Sequence, residues 1–197
     1  AGDAVHVYDH VEYMGMRTFI TADGKSGFAL NGDDIVSVFT TAPGGNISQS
    51  MLQLAVAQGG RKLDAMDIHL PAIYSQSKFR VVARLPWDDA EAPPKWSKRF
   101  WKEFNNGEPD IVFMVYDPDR VFSTQKVHDV YTPGEGQMYA SYPEAVAAQQ
   151  AAVDALNKRM GTTAGDDTSF VTSKQMESFS AANPGAGQAD PIQRIAD

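Results

Sequence analysis

The sequence predicts an α/β fold in which a mixed, mostly antiparallel sheet is flanked by helices, with a further helix and a flexible tail at the C-terminal end. Short apolar runs of strand length alternate with longer amphipathic runs of helix length. The pair Asn31-Gly32 separates two apolar runs, which is typical of a β-hairpin. The pair Gly59-Gly60 closes an amphipathic run, as glycine commonly does after a helix.

The N-terminal third is predicted to hold two β-hairpin strands preceded by a short strand and a helix. Residues 5–8 are rich in β-formers, and Asp9 is a suitable N-cap for a helix that continues through Met16 to Phe19. The hairpin strands are predicted over 27–30 and 35–40, on either side of the Asn-Gly turn.

The middle of the chain continues the alternation of helices and strands. The predicted elements are a helix over 47–58, a strand over 62–66, a helix over 69–77, a strand over 79–85 and a strand over 110–116. Pro71 is compatible with the first turn of its helix.

The C-terminal part has a different composition. Residues 87–107 form a charged, aromatic-rich insertion, and residues 117–142 are predicted to be irregular. Pro143 opens a predicted helix that ends near Met160 and presents one apolar stripe. From residue 161 the chain is rich in small and polar residues, which predicts a low-complexity tail or linker.

Composition excludes several classes of function. The chain has no cysteine, so disulfides, cysteine metal sites and a thiol nucleophile are excluded. The formal net charge of −8 argues against a general affinity for nucleic acid but leaves room for a local basic patch. No apolar run of about eighteen residues is present, so no membrane span is predicted.

Small residues precede the helix predicted at 47–58. Residues 43–48 contain Gly44 and Gly45, which allow backbone N–H groups to approach a phosphate at the N-terminus of a helix. The hydroxyl of Ser48 is an additional donor. An ordinary strand-to-helix turn, in which the glycines only allow the backbone to bend, explains the same residues. The phosphate-binding loop and the ordinary turn both stay open as interpretations.

Residues 67–79 carry a more specific pattern. Asp67 starts the segment, Leu70 follows three residues later, the pair Ile73-Tyr74 closes the predicted helix, and Lys78-Phe79 opens the next strand. This spacing resembles the signature of the GNAT N-acetyltransferase superfamily, and residues 43–48 then fall on the pyrophosphate loop of that family. Pro43, Asn46 and Ser48 depart from the family pattern, since a basic or amide residue and small residues are usual there.

The resemblance implies an acetyl-CoA-dependent transfer of an acetyl group to an amine, with no covalent enzyme intermediate. It implies that Tyr74 is the general acid that protonates the departing CoA thiolate, because a phenol with a pKa near 10 is a suitable donor. A half-buried structural tyrosine is the alternative. The residues that the resemblance assigns to acetyl-CoA are Val38, Phe39, Thr40, Gly44, Gly45, Asn46, Ile47, Ser48 and Asp67.

A base that accepts the proton of the incoming amine is less clearly indicated. The candidates are Asp34, at the start of a hairpin strand, and His69, whose side chain titrates near neutral pH. Glu12 is a third option, and a chain of water molecules is the alternative to all of them. Asp34 also fits a solvated turn, and His69 also fits a structural position at a helix start.

Residues 95–104 place Lys95, Lys98, Arg99 and Lys102 near one face if the segment is helical, with the aromatic residues on the other faces. One interpretation is a docking helix for RNA or for a protein. The interpretation we favour is an amphipathic cover whose aromatic side chains lie in the core.

A narrower resemblance links residues 28–39 and 59–74 to GNAT-like modules of phage virion-associated or multidomain proteins. It implies a location in the cytoplasm of a bacterial host or in the virion, and as partners an amine-bearing protein or small molecule, a parent polypeptide or virion proteins. The predicted division is a GNAT-like domain over 1–117, an extension with a helix over 118–160 and a tail over 161–197. The alternative function is a GNAT-like binding or virion-structural module without catalysis.

Overall fold

The computed structural model describes residues 8–41, 47–122, 131–163 and 186–187. They belong to two compact units. The meander unit comprises the described part of residues 6–60 with residues 186–187, and the long-helix unit comprises the described part of residues 61–163. Both units combine strands with helices, so the predicted α/β class is confirmed.

The elements alternate along the chain much as the sequence predicts. In chain order they are α1 (His10–Met14), β1 (Arg17–Thr21), β2 (Ser26–Asn31), β3 (Asp34–Thr40), α2 (Ile47–Ala57), β4 (Lys62–Met66), α3 (Leu70–Gln76), β5 (Phe79–Leu85), β6 (Ile111–Tyr116), β7 (Gln137–Met138), α4 (Tyr142–Thr163) and β8 (Ala186–Gly187).

The meander unit is built on three antiparallel strands. β1 pairs with β2, β2 pairs with β3, and the short β8 pairs antiparallel with the outer side of β1. Phe19 and Phe28 stack with ring centroids 4.7 Å apart, and α2 packs on β2 and β3. The apolar face of α2 contributes Met51, Leu52 and Ala55 to the buried core.

The predicted hairpin is confirmed. Asn31 pairs with Asp34 across a two-residue turn, and Gly32 has a φ of 64°. That value lies in the left-handed region that glycine enters without steric cost, so the Asn-Gly pair suits the turn.

The helix predicted from Asp9 to Phe19 is too long. A capping box starts α1: the N–H of Glu12 donates to Asp9 Oδ1 at 2.8 Å, and the N–H of Asp9 donates to Glu12 Oε2 at 2.7 Å. α1 ends at Met14 with Gly15 as its C-cap, and β1 follows because its threonines and isoleucine favour a strand. Of the strand predicted over 5–8, residues 5–7 lie outside the described residues and Tyr8 is irregular.

The long-helix unit contains a mixed, mostly antiparallel set of strands. β6 lies between β4 and β5 and is antiparallel to both, whereas β7 is parallel to β5. α4 packs on β5 and β6 and buries Val153 and Leu156 against Val115. The predicted mixed, mostly antiparallel pairing with flanking helices is therefore confirmed.

β5 contains a bulge. Val81 pairs with Met114 and Ala83 pairs with Phe113, so Val82 is an extra residue on this strand. On either side of it, Arg80 pairs with Val115 and Arg84 pairs with Val112.

The predicted C-terminal helix is confirmed as α4, with Pro143 in its first turn. The predicted tail lies outside the described residues, except that 161–163 complete α4 and 186–187 form β8. The division of the chain at residues 117 and 160 stays a prediction.

The helix considered for residues 95–104 does not form. This stretch is a series of turns that leads into a 3₁₀ helix at Asn105–Gly107. One helical turn is present, since the N–H of Trp101 donates to the carbonyl of Ser97 at 3.1 Å. The positive φ angles of Asn105, Asn106 and Gly107, at 44°, 59° and 85°, prevent its continuation as a helix.

Candidate functional site

The predicted pyrophosphate loop is described only where it enters α2. Gly44, Gly45 and Asn46 lie outside the described residues. Ile47 is the first residue of α2, and Ser48 follows it with a partly buried side chain. α2 therefore begins at the residue where the predicted phosphate-binding helix starts, and the binding itself stays a prediction.

Val38, Phe39 and Thr40 form the last half of β3. Phe39 and Thr40 pair with Gly27 and Ser26 on β2, and the hydroxyls of Thr40 and Ser26 share a hydrogen bond of 2.9 Å. The Phe39 side chain is exposed. The predicted pantetheine-binding strand is thus a well-formed strand whose end is open to solvent.

β3 contains a bulge immediately before these residues. Phe28 alone faces Ser37 and Val38, because Gly27 pairs with Phe39 and Ala29 pairs with Val36. Ser37 has a φ of 53°, and its hydroxyl shares a hydrogen bond of 2.7 Å with that of Tyr13. A bulge takes backbone groups out of the ladder and is frequent beside binding sites.

The candidate bases have different surroundings. Asp34 is the first residue of β3 and is partly buried. Glu12 accepts the capping hydrogen bond from the N–H of Asp9, which is a structural role. Asp34 lies in the meander unit, whereas His69 and Tyr74 lie in the long-helix unit, so the geometry that joins them stays a prediction.

Tyr74 lies in α3 with a buried side chain. Burial and, to a smaller extent, the negative charge of Asp64 together raise the pKa of the Tyr74 hydroxyl to about 12. No residue in the described part of the chain forms a hydrogen bond with this hydroxyl. Tyr74 is therefore a protonated phenol at neutral pH, and its donor is unused within the described residues.

His69 occupies the N-cap position of α3, but its side chain makes no capping hydrogen bond. Its ring meets Phe104 edge to face at a centroid distance of 4.7 Å and lies 6.2 Å from the ring of Trp101. These contacts fit the alternative that His69 has a structural role at the start of the helix. The His69 side chain is nevertheless exposed to solvent.

Asp67 belongs to a compact ionic cluster that the sequence did not indicate. Arg84 Nη2 donates to Asp67 Oδ2 at 2.5 Å and to Asp110 Oδ2 at 2.8 Å. The hydroxyl of Tyr131 donates to the other oxygen of Asp67 at 2.5 Å. Arg84 Nη1 also donates to the carbonyl of Glu135 at 3.0 Å.

Burial and the hydrogen bonds of the cluster shift the pKa of two of its members, Arg84 and Tyr131. Burial alone would lower the pKa of the Arg84 guanidinium, but its hydrogen bonds to Tyr131, Asp110 and Asp67 outweigh that effect and raise it. Burial and the hydrogen bond to Asp67 raise the pKa of the Tyr131 hydroxyl. Both oxygens of Asp67 accept short hydrogen bonds, so the cluster ties the segment between β4 and α3 to β5 and to residues 131–135.

A cleft of about 850 Å³ lies elsewhere in the long-helix unit. Small side chains of α4 (Ala148, Ala151, Ala152 and Ala155) form one wall, and Val81 and Val82 at the bulge of β5 contribute to the other. Glu135 lies at its rim, and burial raises the pKa of that carboxyl. The cleft is lined by none of the residues that the sequence assigned to acetyl-CoA.

Within the described residues, no group of three or more His, Asp or Glu side chains is arranged to hold a metal ion. None of the helices in that part of the chain combines the length and apolar character needed to cross a membrane. The chain matches no family model, no curated protein and no solved structure.

Proposed function

We propose that this chain is a GNAT-type N-acetyltransferase that transfers the acetyl group of acetyl-CoA to an amine on a protein or a small molecule. The observation that carries the proposal is the element order from β3 to β5. Each of the five elements between residues 34 and 85 begins within one residue of the start predicted from the sequence pattern. The segment that carries Tyr74 therefore lies on a helix between two strands, as the family pattern requires.

The bulge of β3 supports a ligand on this strand. A regular ladder uses every second N–H and carbonyl for its neighbour, and an extra residue leaves groups that a ligand can use. The bulge at Ser37 and Val38 lies directly before Phe39 and Thr40. The amide groups of a pantetheine arm are matching donors and acceptors.

The environment of Tyr74 supports a donor role of a particular kind. With a pKa of about 12 the phenol keeps its proton at neutral pH. A thiol of ordinary pKa near 8.5 is the stronger acid, so full proton transfer to a free thiolate costs about 5 kcal/mol. Tyr74 would then stabilise the thiolate chiefly by donating a hydrogen bond as the carbon–sulfur bond breaks.

In the proposed reaction the neutral amine attacks the thioester carbonyl, and the tetrahedral intermediate collapses with loss of the CoA thiolate. The proton released by the amine passes to Asp34, to His69 or to water. The thiolate accepts a hydrogen bond from Tyr74 and takes its proton from solvent. The phage assignment and its two locations, host cytoplasm and virion, stay predictions.

Calorimetry with acetyl-CoA and with CoA tests the proposal. We expect saturable binding of both, and a fall in turnover with little change in affinity for Tyr74→Phe. Tyr116→Phe is the matched control, since it removes another tyrosine hydroxyl of the long-helix unit. The proposal is wrong if millimolar acetyl-CoA does not bind.

A second candidate is the same architecture without catalysis. Pro43, Asn46 and Ser48 place no positive charge in the predicted phosphate loop, which favours this alternative. CoA binding without turnover on any amine tested, and with no effect of Tyr74→Phe, would support it.

A further inference from the structure

All three tryptophans of the chain lie in one loop. Residues 86–110 connect β5 to β6 and are called the aromatic loop here; they contain Trp87, Trp96 and Trp101. The rings of Trp87 and Trp96 have centroids 5.1 Å apart. Those of Trp96 and Trp101 are 5.4 Å apart and nearly parallel, with an interplanar angle of 11°.

The aromatic loop is folded tightly on itself. The indole N–H of Trp96 donates to the carbonyl of Gly107 at 2.8 Å, and the Lys98 side chain donates to Glu108 at 2.7 Å. A side chain at Gly107 would meet the Lys98 backbone at 2.3 Å, so only glycine permits this approach. The rings are thus held in place before any ligand arrives, which reduces the entropy cost of binding.

One end of the ring series is open to solvent. Phe100 is 74% exposed and meets Trp101 edge to face at 5.0 Å. Trp87 and Trp96 use their indole N–H groups within the loop, whereas that of Trp101 has no hydrogen-bond partner in the described part of the chain. Phe100 therefore offers an aromatic ring at the surface, next to the partly buried Trp101.

Four cations lie close in sequence to this open end. Lys98 is neutralised by Asp89 at 2.5 Å and by Glu108. Lys95, Arg99 and Lys102 are exposed, and no ion pair with any described residue holds them. Three exposed cations without an ion pair to any described residue, close in sequence to the exposed Phe100, suit an anion that also carries flat rings.

We propose that the aromatic loop binds a short single strand of nucleic acid. Bases stack on Phe100 and Trp101, and phosphates contact Lys95, Arg99 and Lys102. Aromatic side chains beside a basic groove recognise single strands because every base has a π face. A protein partner with acidic side chains would use the cations but would leave the ring series without flat partners.

The charge of the rest of the molecule limits the strand to a few nucleotides. The chain has a net charge of −8, and the loop itself exposes Asp88, Glu91 and Glu103. These carboxylates repel phosphates beyond the cationic end, so affinity will not increase with strand length as it does on a basic groove. Three phosphate contacts predict that log K falls with log salt with a slope of about −2.

Tryptophan emission of the whole protein reports on this site because no tryptophan lies elsewhere. We would titrate oligouridylate and oligothymidylate of about eight nucleotides, a length typical of single-strand sites. Saturable quenching of the emission is expected for both oligonucleotides. Half-saturation is expected below about 100 µM oligonucleotide, the weak limit of non-specific binding. A blunt duplex of equal length should bind more weakly, because its bases are stacked on one another.

Variants separate stacking from charge. Phe100→Ala should weaken binding about tenfold, as expected for the loss of one stacked base. Arg99→Gln should weaken binding and flatten the salt dependence, whereas Lys25→Gln, the same loss of charge on an exposed turn of the meander unit, should leave both unchanged. Circular dichroism checks that each variant is folded.

The inference is overturned if neither oligonucleotide quenches the emission, or if Phe100→Ala binds as well as the unaltered protein. It is also overturned if polyglutamate of equal charge quenches as effectively as oligouridylate, since the site would then recognise acidic protein segments. A difference between the two oligonucleotides identifies RNA or DNA as the better ligand. None of these outcomes depends on acetyl-CoA.

Discussion

Arg84 and Asp67 form a buried ion pair of 2.5 Å between Nη2 and Oδ2, with side-chain exposures of 7% and 10%. Replacing Arg84 with Met leaves the carboxylates of Asp67 and Asp110 without their shared cation in a buried site. We expect a loss of about 3–5 kcal/mol in the free energy of unfolding, measured with urea. Arg99→Gln, at an exposed position, should change it by less than about 0.5 kcal/mol.

The charge argument can be checked with one further variant. Adding Asp67→Asn and Asp110→Asn to Arg84→Met removes the unpaired charges and should restore part of the loss. Equal stability of the single and triple variants would show that packing, and not charge, explains the effect.

Gln149 joins α4 to two strands. Its Nε2 donates to the carbonyl of Leu63 at 2.8 Å and to that of Met114 at 3.0 Å, and the side chain is buried. Gln149→Met keeps the length but removes both donors, so we expect a loss of about 1–3 kcal/mol in unfolding free energy. The neighbouring Gln150 bonds to Asp154 on the exposed face, and Gln150→Met is the control that should be nearly neutral.

Tyr74 should make the protein sensitive to alkali. Below pH 10.0 both the folded and the unfolded chain hold the phenolic proton. Between pH 10.0 and about 12 only the folded chain holds it, so stability falls as pH rises. The contribution lost by the end of this range is about 3 kcal/mol.

The measurement is urea unfolding across that range, with the phenolate absorbance followed in parallel. Tyr74→Phe should have a shallower dependence on pH than the unaltered protein. Tyr131, whose pKa is also raised by burial, keeps its own contribution in both proteins. Parallel profiles would mean that Tyr74 ionises normally in the folded state.

Replacing Gly107 and Gly134 with alanine distinguishes two costs of a side chain at a glycine: backbone strain and steric clash. Both have positive φ angles, of 85° and 92°, so alanine costs about 1–2 kcal/mol at either position. At Gly107 the added carbon would also lie 2.3 Å from the carbonyl oxygen of Lys98, whereas at Gly134 nothing lies within 4 Å. We expect Gly107→Ala to destabilise the protein more than Gly134→Ala and to shift the tryptophan emission.

The elements that could be predicted are those whose signals are local. The Asn31-Gly32 turn determines the hairpin, and Pro143 marks the start of α4. The apolar run over residues 79–85 predicts β5. In contrast, β1 was missed because the cap at Asp9 suggested a long helix, although Gly15 and the β-branched residues that follow it were available as a stop signal.

The ionic cluster could not be predicted because its members are far apart in sequence. Asp67 and Tyr131 are separated by 64 residues, and nothing near either of them indicates a partner. The conformation of the aromatic loop could not be predicted for a different reason. Helical spacing predicted one face for its cations, but the helix does not form, and the tryptophan rings pack on one another within a series of turns.

The extra residue of β5, Val82, changes which side of the strand the following side chains face. Four residues apart, Arg80 and Arg84 would emerge on the same side of a regular strand. Val82 changes the count, so the two arginines pair with Val115 and Val112, which are three apart and therefore on opposite sides. Deleting Val82 would bring two buried guanidinium groups onto one side, where the carboxylates that hold Arg84 would have to serve both. One inserted residue thus sends two arginine side chains out on opposite sides of the same strand.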